Sequence, residues 1–479
     1  MTLNISKNNL PERELIEKYL SGTTHYYTLY PTQSNWEKSK DVNFFIENLD
    51  IAIKEDVNFS LYIHFPFCPK QCYFCHCYTV ISKNRDHYTE IVQTIIKELK
   101  NLFDLIYKKS GENKIKVTDV HFGGGTPTVI PMDLFKLLAD FLHENLDKKV
   151  LNEIALEVDP RNEMNEQKLL EYKNFGVNRL SFGVQDFNLD VQKAVNRINS
   201  YELLKSLLTE KVRSAFKSIN FDFIFGLPKQ TEKSIKETRE KIIKLNTSRI
   251  TLLNMDHRPD VYKHQKAYNE KDLPDVYTKV KMYFESVEFL ESNGFKRIGV
   301  NHFAKEDDIL AQYKNMKKIY RNPNGFSPGW TYNMLAIGPS STGKLGNYYY
   351  QNIYSLDRYK ELVNSNKIPI TREKILNKDD QLRRKVIMDL LNLEIIDLNK
   401  VDFNKHFQQE LIQIKEFENQ GLLTFDKKQN VYEVTKKGSV FISNICGIFD
   451  NYSKNKYASQ REFDDGMRSM DRKTLFVNT

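Results

Sequence analysis

The sequence predicts an α/β protein built on a parallel sheet, and three observations predict it. Apolar, β-rich runs recur at 60–65, 117–122, 153–158, 179–184, 219–225 and 249–253. Amphipathic, helix-like stretches separate them at 87–103, 132–146, 166–175, 201–215 and 232–245. A parallel crossover needs a dozen or more residues, which these intervals supply. The motifs able to carry chemistry follow directly on the apolar runs, where the carboxyl ends of parallel strands gather sites. Such repeats, roughly six, are too few for a full eight-stranded barrel.

At 479 residues the chain exceeds one ordinary domain, so segments appended to a large catalytic domain are expected. The reading divides it into an N-terminal arm (1–50), a strand–helix core (51–300), a segment completing the core and covering the substrate (301–369), a mostly helical C-terminal domain (370–453) and a mobile tail (454–479). The tail mixes charges and holds few apolar residues, which suits a mobile end. Hydrophobic residues at 40% and aromatics at 12% suffice for a sizeable core. No run nears the about 18 apolar residues of a membrane span, so none is expected. Residues 1–9 lack the apolar stretch of a signal peptide, and the expected setting is cytoplasmic. Net charge is +8, with Lys and Arg interspersed among Asp and Glu. That pattern is a solvated surface with no nucleic-acid partner; a polyanionic small substrate also suits the excess.

Four of the five cysteines lie in Cys68-Pro-Lys-Gln-Cys72-Tyr-Phe-Cys75-His-Cys77. Thiolates this dense serve as metal or cluster ligands or as disulfide partners. With Cys446 alone elsewhere, no disulfide framework of the secreted kind exists. A redox pair at Cys72 and Cys75 would leave Cys68 unexplained. Three thiolates spaced C-x3-C-x2-C can hold three irons of a four-iron cluster, leaving the fourth open to a chelating ligand. With Phe74 just before the last of the three, the loop resembles the cluster loop of radical S-adenosylmethionine (SAM) enzymes. The resemblance implies a [4Fe-4S] cluster whose open iron is chelated by S-adenosyl-L-methionine. One electron then cleaves the sulfonium, and the 5′-deoxyadenosyl radical removes hydrogen from an unactivated carbon. It also implies an open, partial (β/α)6 barrel of the radical SAM type, with an N-terminal arm and a mostly helical C-terminal domain.

Further motifs follow strand by strand. After the second run comes His121-Phe122-Gly123-Gly124-Gly125-Thr126-Pro127-Thr128, whose glycines allow close backbone approach and exposed amides. It is neither a Walker loop nor a dinucleotide fingerprint, and by itself would read as a tight turn. The third run ends in Glu157-Val158-Asp159-Pro160-Arg161, a strand-end carboxylate that is either a salt-bridged surface group or a ligand holder. The fourth enters Ser181-Phe182-Gly183-Val184-Gln185-Asp186, with Val195-Asn196-Arg197 beyond. The fifth buries Asp222 in an apolar strand, where a carboxylate needs a ligand hydroxyl, an amine or an arginine. With Lys18-Tyr19-Leu20-Ser21-Gly22, the stretch 61–68, His302-Phe303-Ala304, Arg321-Asn322 and Val434-Thr435-Lys436-Lys437-Gly438, these strings resemble the oxygen-independent coproporphyrinogen III oxidase family nearly end to end.

That resemblance implies a role for each matching position. Cys68, Cys72 and Cys75 would ligate the cluster; Cys77 matches a family cysteine outside the usual ligand set. Tyr62, Gly124 and Glu157 would contact the cluster-bound SAM, with Tyr62 and Glu157 taken as catalytic. Phe74, Gly125, Thr126, Gln185, Arg197 and Asp222, together with Asp256 and Thr342, would line a second SAM. The implied reaction removes hydrogen from the β-carbon of a propionate and releases carbon dioxide and an electron, leaving a vinyl group, twice per substrate. Its product is protoporphyrinogen IX. The implied partners are a tetrapyrrole substrate and an electron donor of flavodoxin or ferredoxin type, serving a monomer.

Departures from the family pattern bear on the substrate. His76 stands where glycine is usual, and Asp256 where a small apolar residue is usual. The stretch Arg321-Asn322-Pro323-Asn324-Gly325-Phe326-Ser327-Pro328-Gly329-Trp330 replaces a phenylalanine–glutamine pair, and Pro323 removes an amide donor. Pro339-Ser340-Ser341-Thr342-Gly343 replaces a more apolar stretch. These changes are expected around the substrate and second cofactor, a pattern that fits a retained radical source with a changed substrate. The alternative enzyme uses its second SAM as a carbon donor, to methylate or cyclopropanate a different substrate or to open a haem ring. A haem-binding or chaperone-like relative is the reading from another class, and the intact cysteine trio argues against it.

Overall fold

The computed structural model describes residues 10–21, 27–161 and 163–452; the tail expected at 454–479 lies outside the described residues. Six strands form where the apolar runs predict them: β1 (Phe59–Phe65), β2 (Val117–Gly124), β3 (Glu153–Val158), β4 (Arg179–Gln185), β5 (Ser218–Phe225) and β6 (Arg249–Asn254). A seventh parallel strand, β7 (Met334–Ile337), joins on the free side of β1, so the parallel order is β7-β1-β2-β3-β4-β5-β6. Antiparallel strands extend both edges. Thr342–Leu345, Tyr348–Asn352, Ile370–Ile375 and Glu37–Lys38 lie beyond β7; His302–Lys305 and Phe295–Ile298 lie beyond β6. The two edges do not pair with each other, so the barrel is open.

The crossovers carry α1 (Arg85–Ser110), α2 (Met132–Asn145), α3 (Glu166–Asn174), α4 (Leu189–Ala194), α5 (Tyr201–Leu207), α6 (Glu210–Ala215) and α7 (Glu232–Lys244), and α8 (Val276–Ser292) follows β6. The helix expected at 201–215 is two helices. Thr209 begins the second by accepting a hydrogen bond from the Val212 amide at 3.3 Å. Side chains alternate across the strands. Leu61, Ile63 and Phe65 of β1 are fully buried, as are Ile95 and Leu99 of α1. Each such burial contributes roughly 1.5–3 kcal/mol.

The other face of the sheet is polar, and its buried charges are each met by hydrogen-bond donors or opposite charges. Ser60 donates to Asp119 at 2.5 Å, Arg179 to Glu153 at 2.7 Å, and Arg249 to Asp308 at 2.8 Å. Pairing levels put Glu157, Ser181 and Asn220 side by side, with Gly183, Asp222 and Thr251 one step nearer the strand ends. A further buried carboxylate, Glu98 of α1, accepts from the Gly338 amide, the Asn352 side chain and the Tyr359 hydroxyl at 2.8, 2.7 and 2.5 Å. Gly338 is held so close to β1 that a Cβ on it would sit 2.3 Å from the His64 carbonyl.

Ile370–Ile375 belongs to the main sheet, so the helices of the C-terminal domain, placed from 370, begin only at Lys378–Leu393. Gln408–Asn419 and Ile442–Ile448 follow, with a small sheet of Ile395–Asp397, Val431–Val434 and Leu423–Asp426. The N-terminal helix Arg13–Leu20 is clasped to this domain. Asn444 donates to the Tyr19 carbonyl at 2.9 Å, and Lys18 pairs with Glu416 at 2.9 Å.

Candidate active site

A cavity of about 810 Å³ opens at the carboxyl ends of the parallel strands. Its walls include Cys68, Cys72, Cys75, Gly124, Gly125, Thr126, Glu157, Gln185, Arg197, Asp222, Phe74 and Asp256, so most of the expected residues meet there. Leu20 and Ser21 from the N-terminal helix region, and Ser439, Val440 and Ser443 from the C-terminal domain, also line it.

The cysteine loop leaves β1 and is stapled to β2. The amides of Gly125 and Thr126 donate to the carbonyls of Phe65 and Phe67 at 2.7 and 2.8 Å. A Cβ on Gly125 would lie 2.6 Å from the Phe67 carbonyl, which is why glycine is required there. Two amides of the glycine run are thus spent on the loop stem, not left open as its sequence suggests. Each of the three thiols has a hydrogen-bond donor beside it. The Thr126 hydroxyl lies 3.3 Å from Cys68 Sγ, the Cys77 amide 3.4 Å from Cys75 Sγ, and the guanidiniums of Arg161 and Arg197 3.5 and 3.6 Å from Cys72 Sγ. Burial pushes the Cys68 thiol up to about 12, against the Thr126 hydrogen bond. The Cys77 hydrogen bond lowers the Cys75 thiol against its burial.

Asp159 and Arg161 organise this wall, and sequence reasoning passed over both. Arg161 grips the Asp159 carboxylate with Nη2 at 2.6 Å and Nε at 2.9 Å, while Arg197 Nη1 reaches it at 3.3 Å. Burial opposes the Asp159 charge, but the two guanidiniums outweigh it and bring the carboxyl down to about 2. Arg197 Nη2 also donates to the Gly183 carbonyl at 2.6 Å. Two buried polar atoms at this spot, Arg197 Nε and Gln185 Oε1, have no protein partner. The signal lay in the string Glu-Val-Asp-Pro-Arg, where the first carboxylate drew notice and the second did not.

Two histidines fix the expected catalytic pair. His64 Nε2 lies 3.1 Å from the Tyr78 carbonyl and must donate to it, so Nδ1 accepts from the Tyr62 hydroxyl at 3.0 Å. Burial holds His64 near 4, against the Tyr78 carbonyl bond and the Glu157 charge, hence neutral at pH 7. Tyr62 therefore has its proton committed, and burial with the nearby Glu157 charge raises the phenol further. Arg179 donates to His121 Nδ1 at 3.3 Å, so His121 Nε2 donates to Glu157 Oε1 at 3.0 Å. The second Glu157 oxygen has no protein partner among the described residues, and the side chain is 39% exposed. Asp222 is partnered by the Asn220 amide at 2.8 Å and the Ser181 hydroxyl at 3.2 Å, not by an amine or arginine. Burial raises its pKa.

The departures separate into two groups. His76 and Asp256 line the cavity. The His76 ring stacks on Tyr262 at 4.2 Å, and its Nε2 lies 3.0 Å from the Asp256 carbonyl and 2.9 Å from Gln265 Nε2. His264 bonds to the Cys75 carbonyl at 2.7 Å. The stretch 321–330 forms instead a hairpin of Ile319–Asn322 and Gly325–Pro328 that contributes nothing to this cavity. Thr342 is also off the cavity: its hydroxyl accepts from Gln33 at 2.6 Å and Gln351 at 3.3 Å, and it lies buried in the strand that pairs with β7. The expectation that the changes in both stretches surround the substrate is thus corrected for this cavity.

Among the described residues no three His, Cys, Asp or Glu side chains converge on the position of a single metal ion. The three thiols line one cavity, each with its own hydrogen-bond donor, a donor set that suits a cluster held by three thiolates. The residues present fit the cluster. No helix among the described residues is long and apolar enough to cross a membrane.

Comparison with known proteins gives the following. Residues 62–242 match the Radical SAM superfamily. The oxygen-independent coproporphyrinogen III oxidase of Helicobacter pylori strain 26695 is 34% identical over 444 residues, covering 89% of this chain and 93% of that one. The Escherichia coli K12 enzyme of the same name is 33% identical over 454 residues, covering 93% and 96%. A solved structure of coproporphyrinogen III oxidase from Escherichia coli, described as a radical SAM enzyme, superposes with a TM-score of 0.82 at 32% identity, covering 92% of this chain and 99% of that one.

Proposed function

The chain belongs to the oxygen-independent coproporphyrinogen III oxidase family of radical SAM enzymes, and from that membership we propose that it converts two propionates of coproporphyrinogen III to vinyls. At each propionate the β-carbon loses one hydrogen atom and the carboxylate leaves as carbon dioxide. One electron departs to an acceptor, and the new double bond forms between the two remaining side-chain carbons. When bound at Cys68, Cys72 and Cys75, a [4Fe-4S] cluster with SAM on its open iron supplies the hydrogen-abstracting deoxyadenosyl radical.

The chain's own residues do the rest. Arg161, Arg197, Thr126 and the Cys77 amide steady the three sulfurs. Glu157, oriented by His121, would accept hydrogen bonds from SAM through its open oxygen. Tyr62 is buried and off the cavity lining, and its hydroxyl proton is held by His64. A second SAM would lie against Phe74, Gln185, Arg197, Asp222 and Asp256; the unpartnered Gln185 Oε1 and Arg197 Nε support that placement. A flavodoxin- or ferredoxin-type donor, a monomeric state and a cytoplasmic setting complete the proposal.

The observation that carries the reading is that the three thiols, each with its own donor, line one cavity of a chain that matches the Helicobacter enzyme along 93% of that enzyme's length. The test is anaerobic reconstitution with iron and sulfide, then incubation with SAM, dithionite and coproporphyrinogen III. Deoxyadenosine and a product lighter by carbon dioxide and hydrogen are expected. A product made heavier by a methyl or methylene group would replace this reading with carbon transfer.

A further inference from the structure

The charges of the cavity are unevenly matched. Arg161 and Arg197 share the Asp159 carboxylate and turn donors toward Cys72. Lys279 of α8 stands on a different wall, between Val276 and Val280 in sequence. Its Nζ makes one hydrogen bond, to the Met255 carbonyl at 3.3 Å, and no carboxylate lies within ion-pair distance among the described residues. An ammonium has three donors, so two remain for a ligand. The stem is fixed by a close approach: Gly226 has φ +84°, and a Cβ there would come within 2.9 Å of Lys279 Cε. Burial pushes Lys279 toward losing its proton, the Asp256 charge opposing, so a ligand anion would be welcome there. The lining of the same cavity mixes apolar Ile224 and Leu253 with the hydroxyls of Ser439 and Ser443. A flat apolar body with carboxylates at its rim meets both.

We propose that Lys279 anchors a substrate carboxylate, a propionate other than the one reacting at the cysteine wall. This rests on the coproporphyrinogen reading above and assigns Lys279 to recognition, not to the chemical step. The test titrates reconstituted holoenzyme, wild type, Lys279→Met and Lys279→Arg, with coproporphyrin III, the fluorescent oxidised form of the tetracarboxylate, and with its tetramethyl ester. Lys279→Met is expected to weaken binding of the acid roughly tenfold or more, as loss of a hydrogen bond to a charged group does. The ester should bind both forms alike, and Lys279→Arg should recover most of the acid's affinity. Cluster absorbance and a thermal melt establish that each variant is folded and loaded. Equal binding of the acid by Lys279→Met and wild type would overturn the anchor and leave the proposed function standing. Equal weakening of acid and ester would overturn it too, making Lys279 a packing residue. A wild type that neither binds the porphyrin nor makes a decarboxylated product would overturn the functional reading, and the anchor's substrate with it.

Discussion

Asp159 and Lys279 face the same cavity from different walls, and they differ in how their charges are met. Asp159 lies between two guanidiniums that also reach Cys72, while Glu157 and Tyr62 are each oriented by a histidine of fixed tautomer. Lys279 has one carbonyl. The cysteine wall has its dipoles arranged before anything binds, which in a buried site costs least at the moment of reaction. The α8 wall keeps donors in reserve, so an incoming ligand supplies what the protein does not. Rigid placement suits the radical source; unmet donors suit the choice of substrate.

The contrast can be broken most severely at the cysteines. Cys72→Ala should abolish deoxyadenosine formation with any substrate, read by chromatography alongside iron content; deoxyadenosine from that variant would refute the assignment of the wall. Asp159→Asn leaves two buried guanidiniums without a counter-charge, and a loss of about 3–5 kcal/mol is expected in urea unfolding. Its carboxyl is depressed from 3.8 to about 2 in the folded state. Its stabilisation is therefore complete above the unfolded value and lost as pH falls through the folded one. The acid limb of the stability curve should flatten between those values in Asp159→Asn.

Much of the architecture was legible because it is written in local runs. Each of β1 to β6 is an apolar stretch bounded by turn residues, and period alone identifies it. β7 was harder to see. Met334–Ile337 is only four residues long and its partner β1 lies more than 270 positions earlier, so no neighbouring pattern marks it. The cysteine trio was equally plain, since spacing on one loop is a local property. Asp159, Arg161 and Lys279 were not, because their meaning depends on which loops meet across the strand ends. Glu98 left a trace: it is a carboxylate on the buried stripe of α1 with Ile91, Ile95 and Leu99. Thr342 misled because a matching position in a strand carries no guarantee of which face it presents.

Smaller changes sharpen the comparison. His76→Gly removes a ring stack and the hydrogen bonds tying the cysteine loop to the segment after β6, worth about 1 kcal/mol. Faster loss of iron to a chelator is expected, with the protein still folded. Glu98→Gln should show least. Burial raises Glu98 to about 7 despite its three hydrogen bonds. A group raised in this way contributes stability that is full below its ordinary 4.5 and is lost as pH rises through 7. Thermal melts of Glu98→Gln should lack that decline, and an unchanged slope would remove Glu98 from the account.

The clasp between the N-terminal helix and the C-terminal domain has a consequence for assembly of the site. Leu20 and Ser21 share the vestibule with Val440 and Ser443, and Asn444 ties down the Tyr19 carbonyl. A chain lacking residues 439–444 would keep Cys68, Cys72 and Cys75 but lose one wall of the chamber. The cluster ligands and the closure of the chamber thus depend on segments far apart in the chain.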